Sequence, residues 1–355
     1  MFSAPSGVIV EQITAEFGMR PRLDADVLNL PARGVLGELE HTWLNCGPQW
    51  LQHDRYVLDM SGCTSFDAAG LIYILSRLTQ RRRQGLQTLL RLPDSSRALD
   101  LLTRWRFQQA ATDLLDIPFD QLALPNGSTI GRPQPARSWT SLATLPTQLF
   151  PIETFYLDSS EFGHTLTAHQ VERWRSGHIS AVLRKQLSSA ALQIGTHIIH
   201  EAYSLASRST AGIMQTAAEY GTPTAVGRRS LVIVFWDDGD SVLDRVSVPG
   251  GGTASEIVPP IERGGPLKIA ERTEPLDERV STLVATVSGS SDPSVYSGLR
   301  TLGNTVRDIF RGEVSFRTQN QVITLGVRKN QVQTYPEQSL DICGNILIIA
   351  IPLTV

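Results

Sequence analysis

Apolar and polar positions alternate along the chain in two different rhythms. In the first third, "DRYVLDMSG" (54–62) is a short apolar run closed by a turn, and it predicts a strand over Tyr56–Met60. "DAAGLIYILSRLTQRRRQ" (67–84) carries apolar residues at helical spacing; Asp67 can cap its start and Gly85 can end it. "LQTLLRL" predicts a second strand and "SSRALDLLTRW" a second helix, so this part is a small α/β layer. Further on, one helix carries Val171, Trp174, Ile179, Val182 and Leu183, and the next is "THIIHEAYS" and its continuation. "SLVIVFWDDGD" predicts a strand ending in an acidic turn. "SVYSGLRTLGNTVRDIFRG" predicts a helix on Val295, Leu299, Leu302, Val306 and Ile309, stopped by Gly312. Three strands close the chain: "EVSFR", "QVITLGV" and "NILIIAIPL". This second part reads as an α+β sandwich with its helices grouped on one side of a mixed sheet.

Between the two rhythms lies residues 126–151, with Pro133, Pro135, Pro146 and Pro151 among small polar residues. Proline there removes amide donors and fixes φ, which makes this stretch the expected linker. The expected domains are therefore 1–125 and 152–355. A second loop-like region, from Pro249 to Pro293, interrupts the later domain without dividing it. With 355 residues, two cores are the ordinary solution.

Composition narrows the function classes. A 41% hydrophobic and 19% charged chain of net charge −3 is that of a folded protein with no global attraction to nucleic acid or anionic membranes. Cys46, Cys63 and Cys343 form neither a metal pair nor a disulfide framework. "MFSAPSGVIV" lacks the basic start and apolar core of a secretion signal, and the longest apolar run is too short to span a bilayer as a helix. A cytoplasmic protein is expected. The run Arg81–Arg83 falls in the last turn of its helix, where cations complement the dipole and are expected to stay solvated.

"VLDMSGCTSFDAAGLIYIL" (57–75) resembles the core of STAS domains, the family of anti-sigma-factor antagonists, through Asp59, Ser61, Asp67 and Gly70. The resemblance covers roughly residues 50–110. In phosphoregulated members partner kinases phosphorylate a hydroxyl at the helix start, where the dipole tolerates the added charge. Ala68 and Ala69 occupy those positions here, so the resemblance implies a scaffold or docking domain without a phosphorylation site.

Four later segments, in order, resemble the GHKL (Bergerat-type) ATPases, the family of histidine kinases and gyrase B. In "IIHEAYSLASRS" Glu201 matches the family's general base. Four residues on, a spacing that puts two side chains on one helix face, the family's magnesium-binding Asn is replaced by Leu205, and its downstream His by Ser209. In "VFWDDGDSV" Asp237 and Gly239 match the turn that takes the adenine amino group, while Ser241 stands for the second glycine. "YSGLRTL" keeps Gly298 and Leu299 of the phosphate-binding turn, and "CGNILIIAIPL" resembles the closing strand, with Asn345 where a Thr usually supports the adenine Asp. The stretch from about 240 to 297 takes the place of the ATP lid.

The resemblance implies ATP as cofactor, and it calls magnesium into doubt, because Leu205 offers no ligand oxygen to offset triphosphate charge. Two readings follow. The chain is a regulatory or scaffolding protein acting through protein partners, with a homodimer left open and with weak or no hydrolysis. Alternatively it is a working ATPase or anti-sigma-type protein kinase with Glu201 as base and a substitute ligand such as Ser204 or His200. His197, His200 and Glu201 also raise a zinc reading, but their spacing is neither HExxH nor HxxEH. No serine elbow points to hydrolase chemistry.

Overall fold

The computed structural model describes residues 26–124, 149–157, 212–223, 229–241, 268–269, 297–319, 321–326, 330–334 and 342–352, with positions 169 and 173. The first part runs β1 (Asp26–Asn29), β2 (Arg33–Gly34), α1 (Leu36–Cys46), α2 (Gln49–Gln52), β3 (Arg55–Asp59), β4 (Ser65–Phe66), α3 (Ala68–Arg83), β5 (Gln87–Arg91), α4 (Ser96–Arg104), α5 (Phe107–Leu115) and α6 (Phe119–Leu122). β1, β3 and β5 form a parallel sheet in that order, and β2 pairs with β4. The second part contributes β6 (Leu149–Tyr156), β7 (Ile213–Pro223), β8 (Arg229–Asp237), β9 (Lys268–Ile269), α7 (Ser297–Asn304), β10 (Glu313–Gln319), β11 (Gln321–Gly326), β12 (Asn330–Thr334) and β13 (Ile342–Pro352). These strands make one sheet, ordered β6-β7-β8-β13-β10-β11-β12-β9 and antiparallel except for the last pair.

α3 is the keystone of both parts. Fourteen of its residues, Ala68 to Arg81, are buried. A helix apolar on one face alone would leave the other in water; one buried all round needs partners on two sides. Those partners are β5 of the small sheet and β7, β8 and β13 of the large one. Alternation decides which strand residues meet it. Ala217, Val234, Trp236 and Ile346 share one core with Ile72, Ile74 and Leu75, whereas Ile233, Phe235 and Ile349 point to the opposite face. Ion pairs join the parts around this core: Arg106 to Glu153 at 2.8 Å, and Arg317 of β10 to Glu40 of α1. Burial pushes the Glu153 carboxyl up to about 7 even against the pull of Arg106.

Several expectations change on contact with this architecture. The linker expected at 126–151 ends in strand: β6 begins at Leu149, and Phe150 and Pro151 are buried. A proline is tolerated because β6 is an edge strand whose register breaks between Phe150 and Glu153. The large sheet is flanked by helix on both faces, one of them from the first part, while the helices expected to carry Val171 and Glu201 lie outside the described residues. α3 covers the first, and the apolar face of β10 and β13, on which Val314, Phe316 and Ile349 lie, meets the turn after α7 with its buried Val306. That turn widens. Over Thr305–Ile309 the backbone is π-helical, and the Phe310 amide donates to the Thr305 carbonyl five residues back, at 3.2 Å. The extra residue rotates the face by one position, so Phe310 is buried and Ile309, expected inside, is 54% exposed.

Arg81 is not solvated as expected. It is fully buried and donates to the carbonyls of Trp50, His53 and Gln87 and to the Thr88 hydroxyl. Its neighbour Arg83 is half-exposed and pairs with Asp238 at the end of β8. The helix end that was to face water instead holds a loop and a sheet. No described helix is long and apolar enough to cross a membrane.

Candidate functional site

The STAS-like segment places its motif residues at the mouth of α3. Asp59 ends β3; its Oδ1 accepts from the Ser61 amide at 2.8 Å and its Oδ2 from Arg91 at 3.2 Å. Asp67, extended at φ −104°, accepts from the Gly70 amide at 2.6 Å and so satisfies one of the helix's open donors. Gly70 allows β2 to come close: a Cβ there would stand 2.1 Å from the Gly34 carbonyl oxygen. Ala68 and Ala69 are both buried under this junction. The segment therefore presents no hydroxyl at the start of α3.

Burial raises the Asp67 carboxyl from the ordinary 3.8 to about 6, a shift opposed by the Gly70 and Leu36 amides and by the Arg317 charge. A raised folded-state pKa means that the folded chain binds this proton more tightly than the unfolded one. The stability it confers is present below about pH 4 and is lost as pH rises through about 6. Asp67→Asn keeps the cap's acceptor but removes the titration. Relative to wild type, its urea midpoint is expected to improve between about pH 4 and about pH 7; an unchanged difference would mean that Asp67 does not titrate there.

The GHKL-like segment brings together three of its expected residues. Asp237 is the last residue of β8, and register sets it opposite Asn345 of β13, which in turn faces Thr318 of β10. Asp237 Oδ1 accepts from Asn345 Nδ2 at 3.0 Å and from the Gly239 amide at 3.1 Å. Both side chains are buried on the face that also holds Phe235 and Ile349. Gly344 makes the approach of β13 to the acidic turn possible, with φ 79° and a hypothetical Cβ only 1.7 Å from the Asp237 carbonyl oxygen.

Two neighbours were not among the expected site residues. Thr318 donates to Asn345 Oδ1 at 2.8 Å, and Ser241 lies 2.6 Å from Thr318. Thr318 carries no motif signal in the sequence, and Ser241 stands out there only as the residue that replaces the second glycine. Asp238 joins the site without a motif signal of its own. Its Oδ1 accepts from the Gly212 and Ile213 amides at 2.8 and 2.9 Å, and it binds Arg83. The acidic turn is thus tied to β7 and to the end of α3.

Gly298 is the second residue of α7, apart from this cluster in sequence and placed here by its backbone alone. Glu201, Leu205 and Ser209, with His197, His200 and Ser204, lie outside the described residues. Of the lid-like stretch, Lys268–Ile269 forms β9 and pairs with β12 at the sheet edge. Among the described residues, no group of three or more His, Cys, Asp or Glu side chains is placed to hold a metal ion.

No family model, no curated protein and no solved structure matches the chain.

Proposed function

We propose that the chain is a cytoplasmic regulatory protein in which a STAS-like part is docked in cis onto a degenerate GHKL-like part, acting through contacts with protein partners and with weak or no ATP hydrolysis. The observation that carries this reading is α3. It opens with buried Ala68 and Ala69 where a phosphoswitch needs hydroxyls, and it continues as the wall shared with β7, β8 and β13. A docking helix so enclosed is committed to its own chain, and regulation then falls to the surfaces around it and to whatever the acidic turn binds. The replacement of the metal's Asn by Leu205 supports the same reading, because phosphoryl transfer relies on metal to spread charge.

A working ATPase or protein kinase with Glu201 as base is the second reading. It draws support from Asp237, Gly239 and Asn345 meeting at the end of β8. Turnover of Mg-ATP by the full chain, with Glu201→Ala as control, separates the two. The proposal expects no turnover that depends on Glu201, and Glu201-dependent turnover would overturn it.

A further inference from the structure

Asp237 sits at the end of a buried chain of hydrogen bonds whose direction is set by its members. Asn345 Nδ2 reaches two groups that carry no hydrogen for it, Asp237 Oδ1 at 3.0 Å and the Asp240 carbonyl at 2.9 Å. The amide must therefore turn its nitrogen to them and its oxygen to Thr318. Thr318 spends its one hydroxyl hydrogen on that oxygen, at 2.8 Å, so Ser241, 2.6 Å away, must be the donor to Thr318. The order is Ser241 to Thr318 to Asn345 to Asp237, and all four residues are buried. The register break after Thr318 ends regular pairing just beyond this contact. With Asn345 and the Gly239 amide both donating to it, Asp237 Oδ1 is held as an acceptor.

Two of these residues are among those by which the chain departs from the GHKL pattern, and both lie at the acidic turn: Ser241 for a glycine and Asn345 for a threonine. We propose that the departures belong together, and that Ser241, Thr318 and Asn345 act as one positioning unit that presents Asp237 as an acceptor to an amino group on a bound heteroaromatic ligand. The inference rests on Asp237 lying in a nucleotide site, as in the function proposed above. An amide at 345 carries an acceptor oxygen separate from its donor nitrogen, where a threonine has a single hydroxyl for both. Left without a donor in a buried place, that oxygen would cost stability, and Thr318 backed by Ser241 supplies the donor.

The test has two arms on the full chain. In a double-mutant cycle by urea unfolding, Ser241→Ala and Asn345→Ala are each expected to lower the folding constant by about tenfold, and the double variant by clearly less than the product. In the second arm, ATP and ITP are titrated, since ITP carries a carbonyl where ATP carries the amino group. Thr318→Val is expected to weaken ATP about tenfold and leave ITP unchanged, and Thr318→Ser, which keeps the hydroxyl, to restore ATP binding. If Thr318→Val does not fold, Ser241→Ala takes its place in the titration. An additive cycle, or equal weakening of both nucleotides, overturns the positioning unit alone. A wild-type chain that binds neither nucleotide overturns the nucleotide site together with this role.

Discussion

Replacing Arg81 by methionine is expected to destabilise the chain by about 3–5 kcal/mol, a large share of an ordinary domain's stability. The methylene stem would still pack, so the loss comes from the head group. Its guanidinium is fully buried and donates to four backbone carbonyls, those of Trp50, His53, Asp54 and Gln87, and to the Thr88 hydroxyl at 2.8 Å. It also lies over two rings, 4.9 Å from Trp50 and 5.3 Å from Tyr56. Burial lowers its pKa to about 10, which leaves it charged at neutral pH. Methionine satisfies none of these acceptors, and each buried orphan costs about 1–3 kcal/mol. Lysine keeps the charge but not the planar fork, and is expected to recover only part of the loss. Urea unfolding followed by tryptophan fluorescence reads both variants; a loss below about 1 kcal/mol for methionine would show that solvent replaces the guanidinium.

Gly344→Ala is expected to cost about 2–4 kcal/mol and to disturb the acidic turn. The strain has two sources. The residue is in the left-handed region at φ 79°, and the new Cβ would meet Asp237 backbone atoms at 1.7 and 2.7 Å. Backbone cannot rotate away as a side-chain tip can, so β13 and the end of β8 must part. Asn345 and Asp237, adjacent on those strands, would separate with them. Gly62→Ala is the control: nothing lies within 4 Å of its Cβ position and its φ is not positive. That variant is expected within about 0.5 kcal/mol of wild type by thermal or urea unfolding. Equal effects at the two positions would contradict the close approach at Gly344.

How much of this was legible in the sequence depends on where each residue finds its partner. Elements with local signals stood out. β3, β8 and β13 are continuous apolar runs, and the start of α3 is marked by Asp67, whose acceptor serves an amide three residues on. β7 left no such trace. "IMQTAAEYGTP" has no clean alternation, because Gln215 and Thr216 are both buried, and Gln215 answers the Ala110 carbonyl on α5. The arginines at the end of α3 read as solvent-facing for the same reason. A charge in a last helical turn is ordinarily solvated, and only the fold brings Trp50, His53 and Gln87 around Arg81, or Asp238 to Arg83.

The candidate site divides likewise. Asp237, Gly239 and Asn345 followed from motif order, and strand register puts them side by side. Thr318 and Asp238 could not be chosen from a sequence in which they lie far from the partners that give them meaning. Ser241 was visible as a departure from a pattern, but its use depends on Thr318, 77 residues away.

The proposed function is tested most directly by turnover of Mg-ATP, measured on the wild-type chain, Glu201→Ala and Leu205→Asn side by side. A regulator that has lost its metal ligand predicts no Glu201-dependent release of phosphate from wild type, with Mg²⁺-dependent ATP affinity rising when the asparagine is restored at position 205. Phosphate release by wild type that disappears in Glu201→Ala would contradict it, and the chain would then be a working ATPase.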